Sequence, residues 1–149
     1  GNNIEYGFWQ FKSVDSLKNS YSAENGYQYN TTWNGIPPKG FHSRGAGVPY
    51  MLGLLRKWEI QNGAIQHALA VTVSNTSPEY VYPATKSDGK QSDGIPEGSR
   101  IQIKPEYTET DFKNWGLNTT GIIIAQCLQK YGMFVIDSTG GSGGKTIPE

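Results

Sequence analysis

Short alternating segments separated by turn-forming residues constrain the fold of this chain more than any other feature. The sequence holds 19 Gly and 8 Pro, and runs rich in aromatic and β-branched residues lie between them. This is the pattern of short strands joined by turns. Between residues 27 and 34, Tyr27, Tyr29 and Trp33 alternate with polar residues, as in a strand with one apolar face. The sequence therefore predicts a mainly β protein, an antiparallel β-sandwich or a barrel-like fold of the jelly-roll type.

One α-helix is predicted to pack on the sheets, over residues 119–131. Its apolar residues recur at helical spacing: Ile123, Ile124, Cys127, Leu128 and Tyr131. Asn118 or Thr119 can cap the first turn, and Gly132 supplies the left-handed residue that ends a helix. Cys127 is expected to be a small buried apolar side chain.

The other elements are predicted to be short. A second helix is expected within residues 49–58, and a helical turn within the polar residues 15–24. The remaining strands are expected over residues 4–11, 65–73, 80–82, 100–104 and 133–136.

The chain is expected to form a single β-rich domain, residues 1–139, followed by a glycine-rich tail, residues 140–149. A length of 149 residues suits one domain with a real hydrophobic core. The tail has the composition of a flexible linker, and chain ends are ordered only when something holds them. We therefore predict that the tail docks either on its own domain or on a neighbouring copy of the protein, and the second would make the protein an assembly subunit.

The composition points to an extracellular or cell-surface protein. Lys and Arg together number 13, as do Asp and Glu, and no basic cluster occurs. This argues against nucleic acid or an anionic membrane as a partner. Charged residues make up only 17% of the chain, below the usual value of about a quarter. No apolar stretch reaches the ~18 residues of a membrane helix, so no membrane span is expected.

Three N-glycosylation sequons begin at Asn30, Asn75 and Asn118. Asn30 falls on the polar face of its predicted strand and Asn75 falls in a turn, so both are expected to be exposed. Asn118 is also a predicted helix cap, a role that would occupy its side chain. Pro78 follows the Asn75 sequon and is expected to hinder modification there.

Catalytic candidates are few, and a non-enzymatic protein is favoured. His67 falls in phase with the inward residues of a predicted strand, where burial can tune a histidine, but a core histidine bonded to backbone is the favoured explanation. His42 lies in a loop and is expected to be exposed to solvent. If the protein is a lyase or hydrolase, its acid–base residues would be His67 or His42 with Tyr82, and Asp88 or Asp93 would lie nearby.

No cofactor or metal site is predicted. The sequence has no phosphate-binding loop, dinucleotide fingerprint or nucleophile elbow, and two histidines with one helical cysteine do not make a zinc site. Asp88 and Asp93 lie in a polar loop and suit a shared calcium ion, but their spacing does not fit an EF-hand. A pair of solvated Asp-Gly turns is the favoured explanation.

Aromatic residues exceed the needs of a small core. Tyr27, Tyr29 and Trp33 are the candidates to bind a sugar, because Tyr and Trp present flat apolar faces with a polar edge. A carbohydrate-binding module is therefore one alternative function, with glycans as the partner.

The order of several segments resembles a family of secreted bacterial β-rich domains of largely unassigned function. In chain order the matching segments are FWQ (residues 8–10), GLLR (53–56), HAL (67–69), YVYPA (80–84), IPEGSR (95–100) and YGM (131–133). The resemblance implies secretion, a β-rich fold and proximity to carbohydrate-related modules, and it carries over no catalytic residues. It also implies that a first strand and a last segment of the family are absent here, which would leave a sheet edge open.

The first prediction for function is structural. We expect an extracellular, glycosylated domain that assembles with copies of itself into a fibre or surface layer, because contacts that do not close a ring give filaments. Strand addition from a neighbour would cover the open edge. The expected contact residues are Ile4, Tyr6, Phe8, Gly140, Gly141, Gly143, Gly144 and Ile147. A carbohydrate-active enzyme, a lyase or hydrolase, is the remaining alternative.

Overall fold

The computed structural model describes residues 2–15, 17–41 and 44–139. Of these residues 29% lie in strands and 17% in three helices, so the mainly β class is confirmed. None of the sheets in the described ranges closes into a barrel, and the antiparallel sandwich stays a prediction. Several predicted site residues lie outside the described residues: His42, Gly140, Gly141, Gly143, Gly144 and Ile147.

The first sheet joins β1 (Ile4–Trp9) to β4 (Asn25–Asn30) in antiparallel pairing, with Gly7 opposite Tyr27. The ring of Tyr27 lies so close over Gly7 that a Cβ at position 7 would overlap it. Gly7 is therefore required by the close approach of an aromatic ring, and the pairing register depends on it.

A small hairpin is inserted between these two strands. It consists of β2 (Lys12–Asp15) and β3 (Ser20–Ser22), paired antiparallel. The helical turn expected within residues 15–24 is therefore wrong. Oδ1 of Asp15 accepts hydrogen bonds from the backbone amides of Leu17 and Lys18, so the side chain closes a tight turn and competes with helix formation.

The second half of the chain builds a mixed sheet in the order β5 (Leu69–Val73), β9 (Met133–Ser138), β8 (Arg100–Ile101). β5 pairs parallel with β9, and β8 pairs antiparallel with it. A further parallel pair joins β6 (Thr76–Tyr80) to β7 (Ile95–Glu97). These parallel pairs were not expected from a pattern that predicted only antiparallel strands.

The predicted strands differ in their bounds from those of the structure, and the strand expected over residues 80–82 is wrong, because β6 ends at Tyr80 and residues 81 and 82 lie outside it. Two further differences bear on predicted site residues. β4 ends at Asn30 rather than residue 34, because the chain turns there and the Trp33 amide donates to the Asn30 carbonyl. β5 begins at Leu69 rather than residue 65, so His67 precedes the strand instead of lying within it.

The predicted long helix is confirmed as α3 (Thr119–Lys130), in which Asn118 caps the first turn by accepting from the Gly121 amide at 2.9 Å. Gly132 follows with a φ of 74°, as a left-handed helix terminator should. With 12 residues α3 is shorter than a bilayer span requires, and no helix in the described ranges is long and apolar enough to cross one.

Two shorter helices complete the elements. α1 (Lys57–Gln61) begins near the end of the stretch predicted to be helical. Gly53 takes a φ of 74° and its carbonyl accepts from the Ala70 amide, so the preceding residues turn against β5 instead. α2 (Glu109–Asn114) begins with a capping box between Thr108 and Asp111, a local signal that the prediction missed.

A bulge in β9 shapes the centre of the molecule. Val71 pairs with Val135 and Thr72 pairs with Asp137, so Ile136 is an extra residue. Val135 and Ile136 are consecutive and both buried, which strict alternation would forbid. The Ile136 carbonyl accepts from the Ala46 amide at 2.8 Å. The bulge thus attaches the Ala46 loop, which follows β4, to β9, and it changes the direction in which the Asp137 side chain points.

The hydrophobic core consists of two clusters. One lies against β9 and is formed by Ala46, Val48, Ala84 and Ile136, with Ala70 and Phe134 packed on it. The other joins α3 to the segment before β5 through Ile65, Ile123 and Cys127. Cys127 is buried, as predicted.

The two faces of strand β1 are reversed relative to the usual amphipathic pattern. Glu5 and Gly7 face the interior, whereas Tyr6 and Phe8 are 56% and 52% exposed. Glu5 accepts hydrogen bonds from the Tyr27 hydroxyl and, at 3.2 Å, from the Met51 amide. A charged residue is therefore buried, and two large aromatic side chains point to solvent.

We expect Gly7→Ala to lower the free energy of unfolding by about 1–3 kcal/mol, because the added methyl group overlaps the Tyr27 ring. Gly26→Ala in the facing strand is the matched control: its Cβ would meet the half-exposed Phe8 ring at 3.0 Å, and that ring can move away. Urea denaturation followed by tryptophan fluorescence measures both. Equal losses from the two substitutions would contradict the close approach at Gly7.

Candidate functional site

Three carboxyl groups converge beneath the β1–β4 sheet. Asp88 comes from the loop after β6, Glu97 from β7 and Asp137 from β9. One oxygen from each lies within 4.8 Å of the other two. A Cβ at Gly45 would meet oxygens of both Asp88 and Glu97, so the absence of a side chain there makes room for the group. We refer to Asp88, Glu97 and Asp137 as the acidic cluster.

Glu97 is the most unusual member of the acidic cluster. It is 0% exposed, and neither of its carboxylate oxygens receives a hydrogen bond of normal geometry from the described residues. Burial, followed by interaction with the carboxyl group of Asp88, raises the pKa of Glu97 from 4.5 to about 9. A buried carboxylate without donors is costly, so Glu97 holds a proton at neutral pH unless a positive charge replaces it.

The pKa of Asp137 is also raised. Burial and then the negative charge of Asp88 raise the pKa of Asp137 from 3.8 to about 6. The Gly45 amide and the Arg44 guanidinium act in the opposite direction. Asp88 is more exposed and accepts from the Ser138 amide at 3.4 Å. Glu97 and Asp137 therefore bind protons more tightly than isolated carboxyl groups would.

A cleft of about 240 Å³ leads to the acidic cluster from the surface. Its aromatic lining is Phe8, Trp9, Tyr27 and Tyr50. Its charged lining is Arg44, Lys86, Asp88 and Asp137. The Arg44 guanidinium lies 4.1 Å from the centre of the Tyr50 ring, in cation–π geometry. Carboxylates and aromatic rings thus share one opening, which we call the acidic cleft.

A larger apolar groove, of about 650 Å³, lies elsewhere on the molecule. Its floor includes core residues, among them Ala46, Val48 and Ile136, and its rim includes Met51 and Leu52. No residue of β1, β2 or β3 lines it. The groove therefore lies directly over the core, whose residues remain buried beneath it, at a site that can accept an apolar segment.

His67 lies in the wall of the apolar groove but has both ring nitrogens engaged. Nδ1 lies 2.8 Å from the Ala68 carbonyl, and Nε2 lies 2.7 Å from Oε1 of Glu59. Because a carbonyl only accepts, Nδ1 carries a proton, and the contact with Glu59 needs a second proton on one of the two partners. Glu59 is buried and its other oxygen accepts from the Arg56 amide, in the cap of α1. The contact between His67 and Glu59 therefore links α1 to the segment that leads into β5.

The structure separates the candidate acid–base residues. His67 and Tyr82 both line the apolar groove, with Tyr82 78% exposed. Asp88 lines the acidic cleft instead. Asp93 lies exposed in the same loop as Asp88 but is not a member of the acidic cluster. The sequence reasoning missed Glu97 and Asp137, whose approach to Asp88 depends on long-range strand pairing.

The candidate sugar-binding aromatics are likewise divided. Tyr27 lines the acidic cleft, whereas Tyr29 is only 2% exposed and offers no open face. The hydroxyl of Tyr29 accepts from the Gly35 amide, and its ring packs edge-on against Trp33. Trp33 is exposed on a turn beyond β4.

The three sequon residues differ in environment. Asn75 is exposed in the turn between β5 and β6. Asn30 is half-buried, and its side-chain oxygen accepts from both the amide and the hydroxyl of Thr32. Asn118 is exposed but serves as the cap of α3. Asn75 is thus the sequon residue with the freest side chain of the three.

We expect the metal-free protein to lose stability as pH rises. Between pH 4.5 and about 9 the folded chain keeps the Glu97 proton that the unfolded chain has released. The free energy of unfolding therefore falls with pH, by at most about 1.4 kcal/mol per pH unit for one proton. Asp137 adds a second such loss between pH 3.8 and about 6. Urea denaturation in a chelating buffer at several pH values measures the slope.

Glu97→Gln is the decisive variant for this prediction, because it keeps the neutral shape and removes the titration. Its stability should change little between about pH 6 and about pH 9. Asp93→Asn removes an exposed carboxyl group from the same loop and should leave the slope of the original protein intact. A Glu97→Gln protein with an undiminished slope would refute the assignment to Glu97.

Comparison with known proteins identifies no relative. No protein-family model matches the chain, and neither the curated proteins nor the solved structures include a match to it. The resemblance to secreted bacterial domains therefore stays a prediction, and the geometry of the acidic cleft, the apolar groove and β1 carries the functional argument.

Proposed function

We propose that this protein is an extracellular structural subunit that assembles with copies of itself into a fibre or surface layer. The observation that carries the proposal is the reversed orientation of the two faces of β1. Tyr6 and Phe8 face solvent while Glu5 and Gly7 face the interior. Exposed apolar surface of this kind marks an interaction site.

The exposed aromatic surface extends beyond β1. Its members, each more than half exposed, are Tyr6, Phe8, Phe11 and Tyr21. The Phe8 and Phe11 rings are 5.5 Å apart and the Phe11 and Tyr21 rings 5.1 Å apart. We call these four residues the aromatic face. Aromatic residues are enriched at the centres of protein interfaces.

The apolar groove is the surface that best complements the aromatic face. The two are formed by different residues, so a contact between them is heterologous: one copy contributes the face and the next contributes the groove. Heterologous contacts propagate into filaments unless the rotation closes a ring. Each copy would also cover the apolar groove that lies over its neighbour's core.

Unpaired strand edges support the same proposal. In the described ranges the β1–β4 and β2–β3 sheets have two strands each. Two-stranded sheets are marginally stable alone, and an open edge invites a strand from another chain. The glycine-rich tail, residues 140–149, is proposed from sequence as a second element that docks on the neighbour.

An extracellular location is proposed from composition and from the sequons. Asn75 is exposed in a turn, where a glycan can be attached without disturbing the core. The low content of charged residues and the resemblance to secreted bacterial domains agree with this location.

Carbohydrate binding is the second candidate function, favoured by the acidic cleft. Phe8, Trp9, Tyr27 and Tyr50 offer apolar ring surface beside the carboxyl groups, and sugars are bound by such combinations. Tyr50→Ala should then abolish retention on a glycan array, whereas Tyr80→Ala, an exposed tyrosine outside both cavities, should not. Absence of glycan binding by the original protein would remove this candidate.

The assembly proposal predicts that each surface can be disabled separately. Tyr6→Ser on the aromatic face and Leu52→Asp on the rim of the groove should each stop filament growth. Tyr80→Ser and Leu54→Asp are the controls; Leu52 and Leu54 are 39% and 37% exposed, but only Leu52 lines the groove. Negative-stain electron microscopy and sedimentation velocity give the readout.

Mixing the two disabled variants tests whether the contact is heterologous. Tyr6→Ser retains the groove and Leu52→Asp retains the face, so an equal mixture should form dimers and stop there. Deletion of residues 140–149 should also abolish assembly if the tail takes part. A protein that remains monomeric at every concentration, or a groove variant that assembles normally, would refute the proposal.

A further inference from the structure

We propose that the acidic cluster binds one divalent cation, and that calcium is the ion it fits. Asp88, Glu97 and Asp137 each present a carboxylate oxygen, and these oxygens lie within 4.8 Å of one another. Carboxylate oxygens are the ligands that hard divalent cations prefer in proteins. This site lies beyond the proposed assembly surfaces and does not depend on them.

A site of three carboxylates favours calcium over magnesium, which usually keeps several waters and is bound through one or two carboxylates. Calcium binds oxygen at about 2.3–2.6 Å, so two of its ligands are separated by at most about 5 Å. Magnesium binds at about 2.0–2.1 Å, which limits that separation to about 4.2 Å. The three oxygens, which lie within 4.8 Å of one another, are inside the limit for calcium without rearrangement. Water entering through the acidic cleft can complete the larger coordination shell that calcium takes.

Glu97 supplies a second observation that points to a ligand. It is 0% exposed, and neither oxygen receives a hydrogen bond of normal geometry from the described residues. Both oxygens are directed to the space above Gly45 that they share with Asp88. Buried polar atoms in folded proteins are nearly always satisfied. A cation held between Glu97 and the two aspartates satisfies them.

The charges around the site are compatible with a bound cation. Arg44 and Lys86 line the acidic cleft together with Asp88 and Asp137. Arg44 stacks on the Tyr50 ring, which places its charge on an aromatic face as well as near Asp137. While Glu97 keeps its proton, Asp88 and Asp137 balance these two cations; a metal ion that displaces this proton leaves three carboxylates against the two cations, so the site then carries the negative charge that holds the ion.

A bound ion would join three segments that are distant in sequence. Asp88, Glu97 and Asp137 lie in the loop after β6, in β7 and in β9. The single cysteine, Cys127, is buried and free, so no internal disulfide performs this task. A calcium ion would link these segments, as a disulfide links parts of other small extracellular domains.

Calcium titration of the intact chain tests the proposal with two readouts. Thermal unfolding should shift upwards on addition of calcium, at mildly alkaline pH where the cluster is more ionised. Terbium, which replaces calcium, should show luminescence sensitised by Trp9, Tyr27 and Tyr50, the rings that line the acidic cleft. We expect one ion per chain, with magnesium giving a weaker shift.

Variants locate the binding. Glu97→Gln and, independently, Asp88→Asn should weaken calcium binding by at least about tenfold. Asp88 is on the exposed side of the cluster, so its substitution does not endanger folding. Asp93→Asn, an exposed carboxylate of the same loop, should leave the affinity unchanged.

The outcomes separate the cation site from a cluster that only holds protons. No calcium-dependent shift and no sensitised luminescence would overturn the proposal. So would binding that survives both Glu97→Gln and Asp88→Asn, because the ion would then lie elsewhere. Equal affinity for magnesium would overturn the assignment to calcium.

Discussion

The burial of Glu5 is the constraint on which much of this structure depends. Its carboxylate accepts from the Tyr27 hydroxyl and the Met51 amide, and the same hydroxyl accepts from the Tyr50 amide. These bonds fix which face of β1 is inside, because a slip of one residue would exchange the two faces. The exposure of Tyr6 and Phe8, the close approach at Gly7 and the aromatic wall of the acidic cleft all follow from this orientation.

The same hydrogen bonds connect the acidic cleft to the apolar groove, which are otherwise separate. The β1–β4 sheet covers the acidic cleft, and residues 50–51 lead from that cleft to the rim of the apolar groove. A buried carboxylate with several donors is well satisfied, whereas neither oxygen of Glu97 receives a hydrogen bond of normal geometry within the described residues. The contrast between Glu5 and Glu97 separates a structural carboxylate from one that suits a ligand.

Sequence reasoning succeeded where the signal is local. The helix over α3, its Asn118 cap, the terminating Gly132 and the burial of Cys127 all follow from spacing and capping within a dozen residues. It failed for the stretch before α1, where Gly53 turns against β5. It also could not foresee the parallel pairs, because alternation in one strand carries no information about its partner.

For the acidic cluster, too, only the part with a local signal could be predicted from the sequence. Asp88 was recognised as a candidate from its polar loop. Glu97, which follows Pro96, and Asp137, which follows a buried run, carry no signal in the sequence that marks them as members of a site. Only the pairing of β7 and β9 with their neighbours, and the extra residue Ile136, bring them to Asp88. The burial of Glu5 in β1 was likewise not foreseen, since an acidic residue in a short strand is expected to be exposed.

Strand β9 also determines when this protein can fold as it is made. β5, β8 and the Ala46 loop all pair with β9, and each of them precedes it in the chain. Each of these partners therefore emerges from the ribosome without the strand on which it will pair. Contacts of such long sequence separation form slowly. β5, β8 and the Ala46 loop therefore lack their partner strand until β9 has been made, and their apolar residues require protection until then.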